Sequence, residues 1–426
     1  MEIHELHALF SECSLVCTDT RKIEQDCLFF ALKGDNFNGN KFAKQALEKG
    51  AKYAIVDEAE HASDPKCILV LDVLSTLQEL ATYHRGTFKI PFIGITGSNG
   101  KTTSKELIRD VLSQRYNVLA TKGNLNNHIG VPLTLLEVNE THDVAIIEMG
   151  ANHVEEIAFL CRIAKPSHGL ITNIGEAHIG EFGGFENIIK GKSELYDHLR
   201  ATDGLVFVNG DDALLLDKAA DIDQVTYGYG ALLDYQGRIT GADPYLIVEV
   251  RPDDEEIKTQ LVGDYNFSNV MAALCIGQHF QVALSDMISA IDAYAPTNNR
   301  SQLMERNGRR IILDAYNANP TSMKAALQNF ANMEGTGKMV ILGDMLELGD
   351  ESQTAHQEIA ALTGDLGLKG IFIGAEFSEA LKNPKHRTFK DTALAQEEIQ
   401  ALDAEHQLIL IKGSRGIKLE SLVDSL

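Results

Sequence analysis

The sequence predicts an α/β protein of three domains, the middle one built on a mostly parallel sheet that carries a phosphate loop. Three observations lead there. At 426 residues the chain is too long for one ordinary core and implies roughly two to four domains. Strand-like apolar runs alternate with helix-length segments along most of it, the pattern of βαβ units. And a glycine-rich stretch, FIGITGSNGKTT at 92–103, lies between one such run and a segment whose Leu107, Ile108, Val111 and Leu112 fall on one helical face.

Residues 1–88 read as a small α/β domain. The β-rich runs CLFFAL (27–32), YAIVD (53–57) and CILVLD (67–72) alternate with a helix-like stretch at 41–49. Its loops TDTR (18–21) and LKGDNFNGN (32–40) concentrate hydroxyls, amides, glycines and cations. Thr20, Arg21 and Gly34 are therefore candidates for ligand contact, with ordinary turn chemistry as the plain alternative.

Residues 89–296 carry the regular βα pattern, with strands expected at 92–96, 144–147, 169–172 and 205–208. Gly97, Ser98, Asn99 and Gly100 would let backbone N–H groups approach phosphate oxygens. Lys101 would neutralise them, Thr102 would offer a hydroxyl to Mg2+, and Thr103 continues into the helix. The common spacing is broken: it wants a glycine at Ile95, and Gly94 comes one residue early. Ligands of such sheets sit at the strands' carboxyl ends, where Glu148, His178 and the pair Asp211 and Asp212 follow their runs. A carboxylate at 148 can hold a metal ion that also touches Thr102. Lys192, in KGKSELY, reads as a solvated helix lysine. Asn266 and Asn269, entering a helix in GDYNFSNVMAAL, suit an adenine edge or a helix cap equally.

A polar junction, APTNNR at 295–300, leads to a third α/β unit over 297–426. Its strands are expected at 311–314, 339–342, 371–373 and 408–411. Arg300 at the junction could clamp phosphate or form an interdomain salt bridge. DAYNANP and KGSR are dense in ligand-type groups, and Lys412 and Arg415 would suit a small substrate's carboxylate.

Composition limits the function. Hydrophobic content of 44% with 23% charged residues is that of a globular protein, and the net charge of -23 argues against nucleic acid or an anionic membrane as partner. No run approaches the ~18 apolar residues of a membrane span, and MEIHELHALF lacks the basic and apolar regions of a secretory leader. The six cysteines are scattered, as free thiols of a cytoplasmic protein would be. Cys13 and Cys17 with His4 and His7 are too irregularly spaced for a zinc site.

Taken together, G-x-x-G-x-x-G-K-T-T, GNLNNHIGVP, NIGEAH, DAYNANP, GDMLELG and KGSR resemble the ATP-dependent Mur ligases of bacterial cell-wall synthesis. They follow in order over nearly the whole chain, and within that family they look like the branch that joins D-alanyl-D-alanine to UDP-N-acetylmuramoyl-tripeptide. The resemblance implies a UDP-sugar domain, a central P-loop ATPase and a Rossmann-like C-terminal domain that closes over the site. It implies ATP and two Mg2+ ions, with Lys101 on the β and γ phosphates, Thr102 and Glu148 on the first ion and His178 on the second. Lys192 would be carbamylated and support that second ion. Asn266, Asn269, Arg300 and Asp314 match nucleotide positions. Asn124, Asn126 and Asn127 match the muramoyl-peptide loop, and Asn317, Asn319, Lys412 and Arg415 the peptide or dipeptide side. A cytoplasmic monomer is expected. Two departures stand out: Asn38-Gly39-Asn40 replaces the usual D-G-H, and Leu313 replaces the first of a common acidic pair. A sibling ligase adding another amino acid and a nucleotide-gated binding protein without ligation are the rival readings.

Overall fold

The computed structural model describes residues 1–252, 254–297, 299–383, 385–402 and 405–426; Asn298 of the junction lies outside them. Its strands form sheets of four, nine and six, plus a two-stranded hairpin, the three large sheets drawing in turn on residues 16–69, 92–262 and 302–412.

The N-terminal sheet is parallel, with Val16–Cys17, Leu28–Phe30, Tyr53–Val56 and Cys67–Leu69 in spatial order. Helix Val73–Gly86 follows, started by Asp72, whose carboxylate accepts from Ser75 N at 2.6 Å.

In the central sheet, Phe92–Thr96 lies between Val144–Glu148 and His168–Ile171, all parallel. The chain first builds one side of Phe92–Thr96 and then crosses to the other, so the loop after Thr96 leaves from a topological switch point, where open α/β sheets bind ligands. Side chains alternate between two apolar layers. Phe92, Ala145, Ile147 and Ile171 pack on one face, and Ile93, Ile95, Ile146 and Leu170 on the other. Coverage on both faces explains why these strands read as continuous apolar runs.

The sheet is mostly parallel, as the sequence leads one to expect, and Tyr235–Ala242, Tyr245–Val250 and Glu255–Val262 extend it as an antiparallel meander. The Asp-Pro link between the first two is far too short for a parallel crossover, and only a hairpin can follow from it. One further feature differs from the expectation: Gly94 is not part of the phosphate loop. It is buried inside the strand, and a Cβ there would lie 2.7 Å from Met149 Cε and 3.1 Å from Leu195 Cδ1. Its bareness lets helix Phe185–Ala201 lie close on the sheet.

The C-terminal sheet runs Gln302–Arg306, Arg309–Asp314, Leu408–Lys412, Lys338–Gly343, Lys369–Ile373, Arg387–Phe389, parallel except for the antiparallel first pair. Asp314 and Lys412 end adjacent strands in register, which brings two residues 98 apart in sequence side by side.

Candidate active site

A cleft of about 910 Å³ opens at the carboxyl ends of the central strands and is walled on its far side by the C-terminal unit. The phosphate loop forms its floor. Gly97 takes φ 140° and Gly100 φ 79°, conformations that favour glycine. Neither has room for more: a Cβ on Gly97 would overlap Thr172 Oγ1, and one on Gly100 would come within 2.5 Å of Asn269 Oδ1. Asn173, just past His168–Ile171, holds the loop's shape. Its side-chain oxygen accepts from Asn99 N at 3.0 Å, and its carbonyl accepts from Ser98 N at 3.0 Å. The Lys101 amine donates to the carbonyls of Gly97 (2.6 Å) and Ser98 (3.3 Å). Burial pushes its pKa down, with the Arg300 charge adding to that and Glu148 opposing it.

Glu148 ends its strand beneath this loop, 2% exposed. The Thr102 hydroxyl donates to it at 3.1 Å, Asn126 Nδ2 at 2.8 Å, and Lys105 Nζ stands 3.2 Å away. A hydroxyl and a carboxylate converging in this way are the hard oxygen donors that suit Mg2+, so the two expected ligands of a first ion fit it. Lys105 was not singled out by sequence reasoning. Its spacing, four residues after Lys101 and three after Thr102 on one helix, was the available signal.

His178 also lines the cleft, in the left-handed region at φ 57°. Its Nδ1 lies 2.5 Å from Glu347 and 3.6 Å from Glu181. Glu347 belongs to the C-terminal GDMLELGD loop, and its contact with His178 holds its pKa below the usual carboxylate value. The loop itself is fixed by Asp344, which accepts from the backbone N–H groups of Glu376 (3.0 Å) and Phe377 (2.9 Å).

Lys192 is not a solvated helix lysine. It is 1% exposed, its amine donates to Ala151 O at 3.0 Å and it stands 5.0 Å from the centre of the Phe182 ring. Burial, helped by the charge of Lys101, pushes the amine down to about 7. Periodicity missed this because the lysine occupies the helix's inward face, among Ile188, Leu195 and Tyr196.

Across the cleft, the Arg300 guanidinium lies 3.7 Å from the centroid of the Tyr316 ring, and Arg415 approaches the same ring at 5.4 Å. Arg300 Nε has no hydrogen-bond partner among the described residues. Lys412 is buried and its amine donates to Asp314 at 2.6 Å and to Asn317 O at 3.4 Å, so its charge is already paired. Arg415 is the exposed cation of the two. Asn319 caps helix Pro320–Asn332 through Ser322 N, and its Nδ2 donates to Asn99 of the phosphate loop at 2.8 Å. The structure therefore sets it against the phosphate loop.

Asn266 and Asn269 line the cleft, but their amides interlock. Asn269 Nδ2 donates to Asn266 Oδ1 (2.9 Å), Asn266 Nδ2 to Val262 O (2.9 Å), and Ser104 donates to Asn269 Oδ1 (2.9 Å). They brace the phosphate-loop helix, and neither caps its own helix through its side chain. Asn124, Asn126 and Asn127 line the cleft's other rim, Asn127 accepting from Gly130 N at 2.9 Å.

Thr20, Arg21 and Gly34 are not brought into this cleft. Arg21 is exposed and paired with Asp19 at 2.8 Å, the Thr20 carbonyl accepts from Lys49, and Gly34 sits in open space on the Lys33–Gly34/Phe37–Asn38 hairpin. The neighbouring Asn38-Gly39-Asn40 departure has a physical reason. Asn38 Nδ2 donates to Glu58 (3.0 Å) and Asn40 Nδ2 to Asp57 (2.8 Å), while Lys33 pairs with Asp57 at 3.0 Å. An aspartate at 38 would set its charge against Glu58.

Three family models match the chain in succession: Mur ligase family, catalytic domain over 12–85; Mur ligase middle domain over 95–277; and Mur ligase, glutamate ligase domain over 299–415. The UDP-N-acetylmuramoyl-tripeptide--D-alanyl-D-alanine ligase of Bacillus subtilis is 39% identical, over 96% of this chain and 92% of that one. Among solved structures, MurF from Acinetobacter baumannii superposes with a TM-score of 0.89 at 31% identity, covering 100% of this chain and 98% of the other. MurF from Thermotoga maritima in complex with ADP gives 0.84 at 25% identity, with 98% and 97% covered.

Proposed function

Since the chain belongs to the Mur ligase family, we propose that it is an ATP-dependent peptide ligase joining D-alanyl-D-alanine to UDP-N-acetylmuramoyl-tripeptide in peptidoglycan synthesis. The observation that carries the reading is one cleft in which a phosphate loop, with its Thr102–Glu148 pair, faces Arg300, Asp314, Asn317 and Lys412 from another unit. A nucleotide on one wall and an acceptor on the other is the arrangement a carboxylate-activating ligase requires.

A carboxylate resists attack by an amine, so the tripeptide's carboxylate is first phosphorylated by ATP, giving an acyl phosphate and ADP. The dipeptide amine then attacks the acyl carbon, the amide bond forms, and phosphate leaves. Two anions must meet in the first step. Lys101, released from the carbonyls of Gly97 and Ser98, meets the β and γ phosphates, and Arg300, stacked on Tyr316, adds charge from the far wall. Thr102 and Glu148 would hold one Mg2+ ion and His178 and Lys192 a second, and bound there the ions would supply charge neutralisation for the same transfer. Lys192 would help hold that second ion as a carbamate: its buried amine, pushed down to about 7, is available in the neutral form that adds to CO2 with loss of a proton to solvent. Arg415, which approaches the Tyr316 ring, receives the dipeptide's carboxylate, and Asn317, which lines the cleft, contacts the peptide. Lys412 serves by fixing Asp314 at 2.6 Å. Asn124, Asn126 and Asn127 contact the muramoyl-peptide, and Thr20, Arg21 and Gly34 the uridine end. Closure of 297–426 over 89–296, with 1–88 holding the UDP-sugar, brings the reactants together. Among the described residues no helix is long and apolar enough to cross a membrane; we place the enzyme in the cytoplasm as a monomer.

The test is ADP release with each substrate pair. UDP-muramoyl-tripeptide plus D-alanyl-D-alanine is expected to drive it. Release that requires a free diamino acid and ignores D-alanyl-D-alanine would assign the chain to a sibling ligase, and nucleotide binding without any peptide product by mass spectrometry would make it a switch.

A further inference from the structure

Lys105 is one of the two most deeply buried lysines of the phosphate-binding region, 2% exposed, and the ligation chemistry above does not use it. Its amine lies 3.2 Å from Glu148 Oε2, the oxygen that also accepts from Thr102 at 3.1 Å. It does not line the cleft, so it stands behind the carboxylate and touches neither substrate. Asn126 holds the other oxygen, Oε1, at 2.8 Å. Every contact of the carboxylate is thus with a donor, and one of those donors carries a full charge at the same depth.

We propose that Lys105 is a positioning residue that acts through Glu148 to make metal binding depend on the nucleotide. A buried carboxylate beside a hydroxyl would attract a divalent cation by itself. A fixed ammonium 3.2 Å from the shared oxygen offsets that attraction. Nucleotide phosphates bring negative charge to the loop and restore the attraction, so the ion binds together with the nucleotide. The same ammonium holds Glu148 in the orientation that faces Thr102. This inference rests on the reading of Thr102 and Glu148 as metal ligands.

The experiment uses the full chain with Mn2+ as the probe, following free Mn2+ by electron paramagnetic resonance with and without ADP. Wild type is expected to bind Mn2+ weakly alone and more tightly with ADP. Lys105→Met is expected to bind Mn2+ without ADP at least roughly fivefold more tightly than wild type, while Lys105→Arg, which keeps the charge, stays within about twofold. A packing role alone would not tighten metal binding. Equal or weaker binding by Lys105→Met without ADP overturns the proposal. If that variant does not fold, Lys105→Gln, which keeps a donor toward Oε2 and drops the charge, decides by the same comparison. Glu148→Gln separates the two levels: loss of ADP-linked Mn2+ binding upholds the metal ligand, and its retention overturns both the ligand reading and the role of Lys105.

Discussion

Lys192 gives the sharpest case of a side chain whose surroundings change its chemistry. In water its amine would be protonated at neutral pH; beneath the Phe182 ring, with Ala151 O as its partner, it is pushed down to about 7. Lys192→Ala is expected to abolish ligation, measured as ADP release and amide product, and to be partly rescued by short-chain carboxylates. Full turnover without rescue would remove Lys192 from the site. His168 illustrates the same physics applied to stability. Burial near Phe207 and Phe280, with the charge of His279, moves it from 6.5 down to about 4. The unfolded chain therefore takes up this proton near pH 6.5 and the folded chain only near 4, so folding weakens as pH falls between those values and no further below them. In denaturant titrations, His168→Phe is expected to flatten that slope by up to about 3 kcal/mol. That Lys101, Thr102 and Glu148 would stand together was legible in the sequence, where local spacing carries the signal. The burial of Lys105 and Lys192 was not legible, because depth is a property of the packed helix.

Helix Pro320–Asn332 couples two units through its first residues. Asn319 caps it and also bonds to Asn99 of the phosphate loop, and Thr321 accepts from Glu176 N at 3.2 Å. Asn319→Ala is expected to lower stability by about 1 kcal/mol through the lost cap. It is also expected to reduce kcat more than it raises the KM for ATP, because Asn99 remains on the loop while its link to the far unit is gone. An unchanged kcat would make the contact incidental. Elements of the regular βα type were legible from apolar runs, with ends displaced by a residue or two, as at Val144–Glu148 and Leu408–Lys412. The meander over 235–262 was not, since Tyr235–Ala242 and Glu255–Val262 carry glycines, charges and amides in place of an apolar run, and no helix intervenes.

At the scale of the whole molecule, the C-terminal unit meets the central one where Gly180 and Gly349 pass close together. A Cβ on Gly180 would lie 2.5 Å from Gly349 N. Gly180 N also donates to Glu347 O at 3.2 Å. Gly180→Val is expected to hold the two units apart, cutting ligation at least roughly tenfold while binding of a fluorescent ADP analogue changes less than about threefold. Equal losses in both would place the defect in the central unit instead. The order of the three units was legible because each repeats its own strand–helix rhythm. The contacts among them were not, since Asn99 with Asn319 and His178 with Glu347 join residues that no local pattern relates.

Gly94 imposes a condition on how such chains can diverge. Because Met149, Leu195 and Pro166 all press on the space a side chain would take, position 94 cannot drift alone. A larger residue there must be matched by a smaller one at 149 or 195, or the helix bearing Lys192 moves off the sheet. The glycine is thus the spacer that sets how far that lysine stands from the loop, and related chains are expected to record it as paired change.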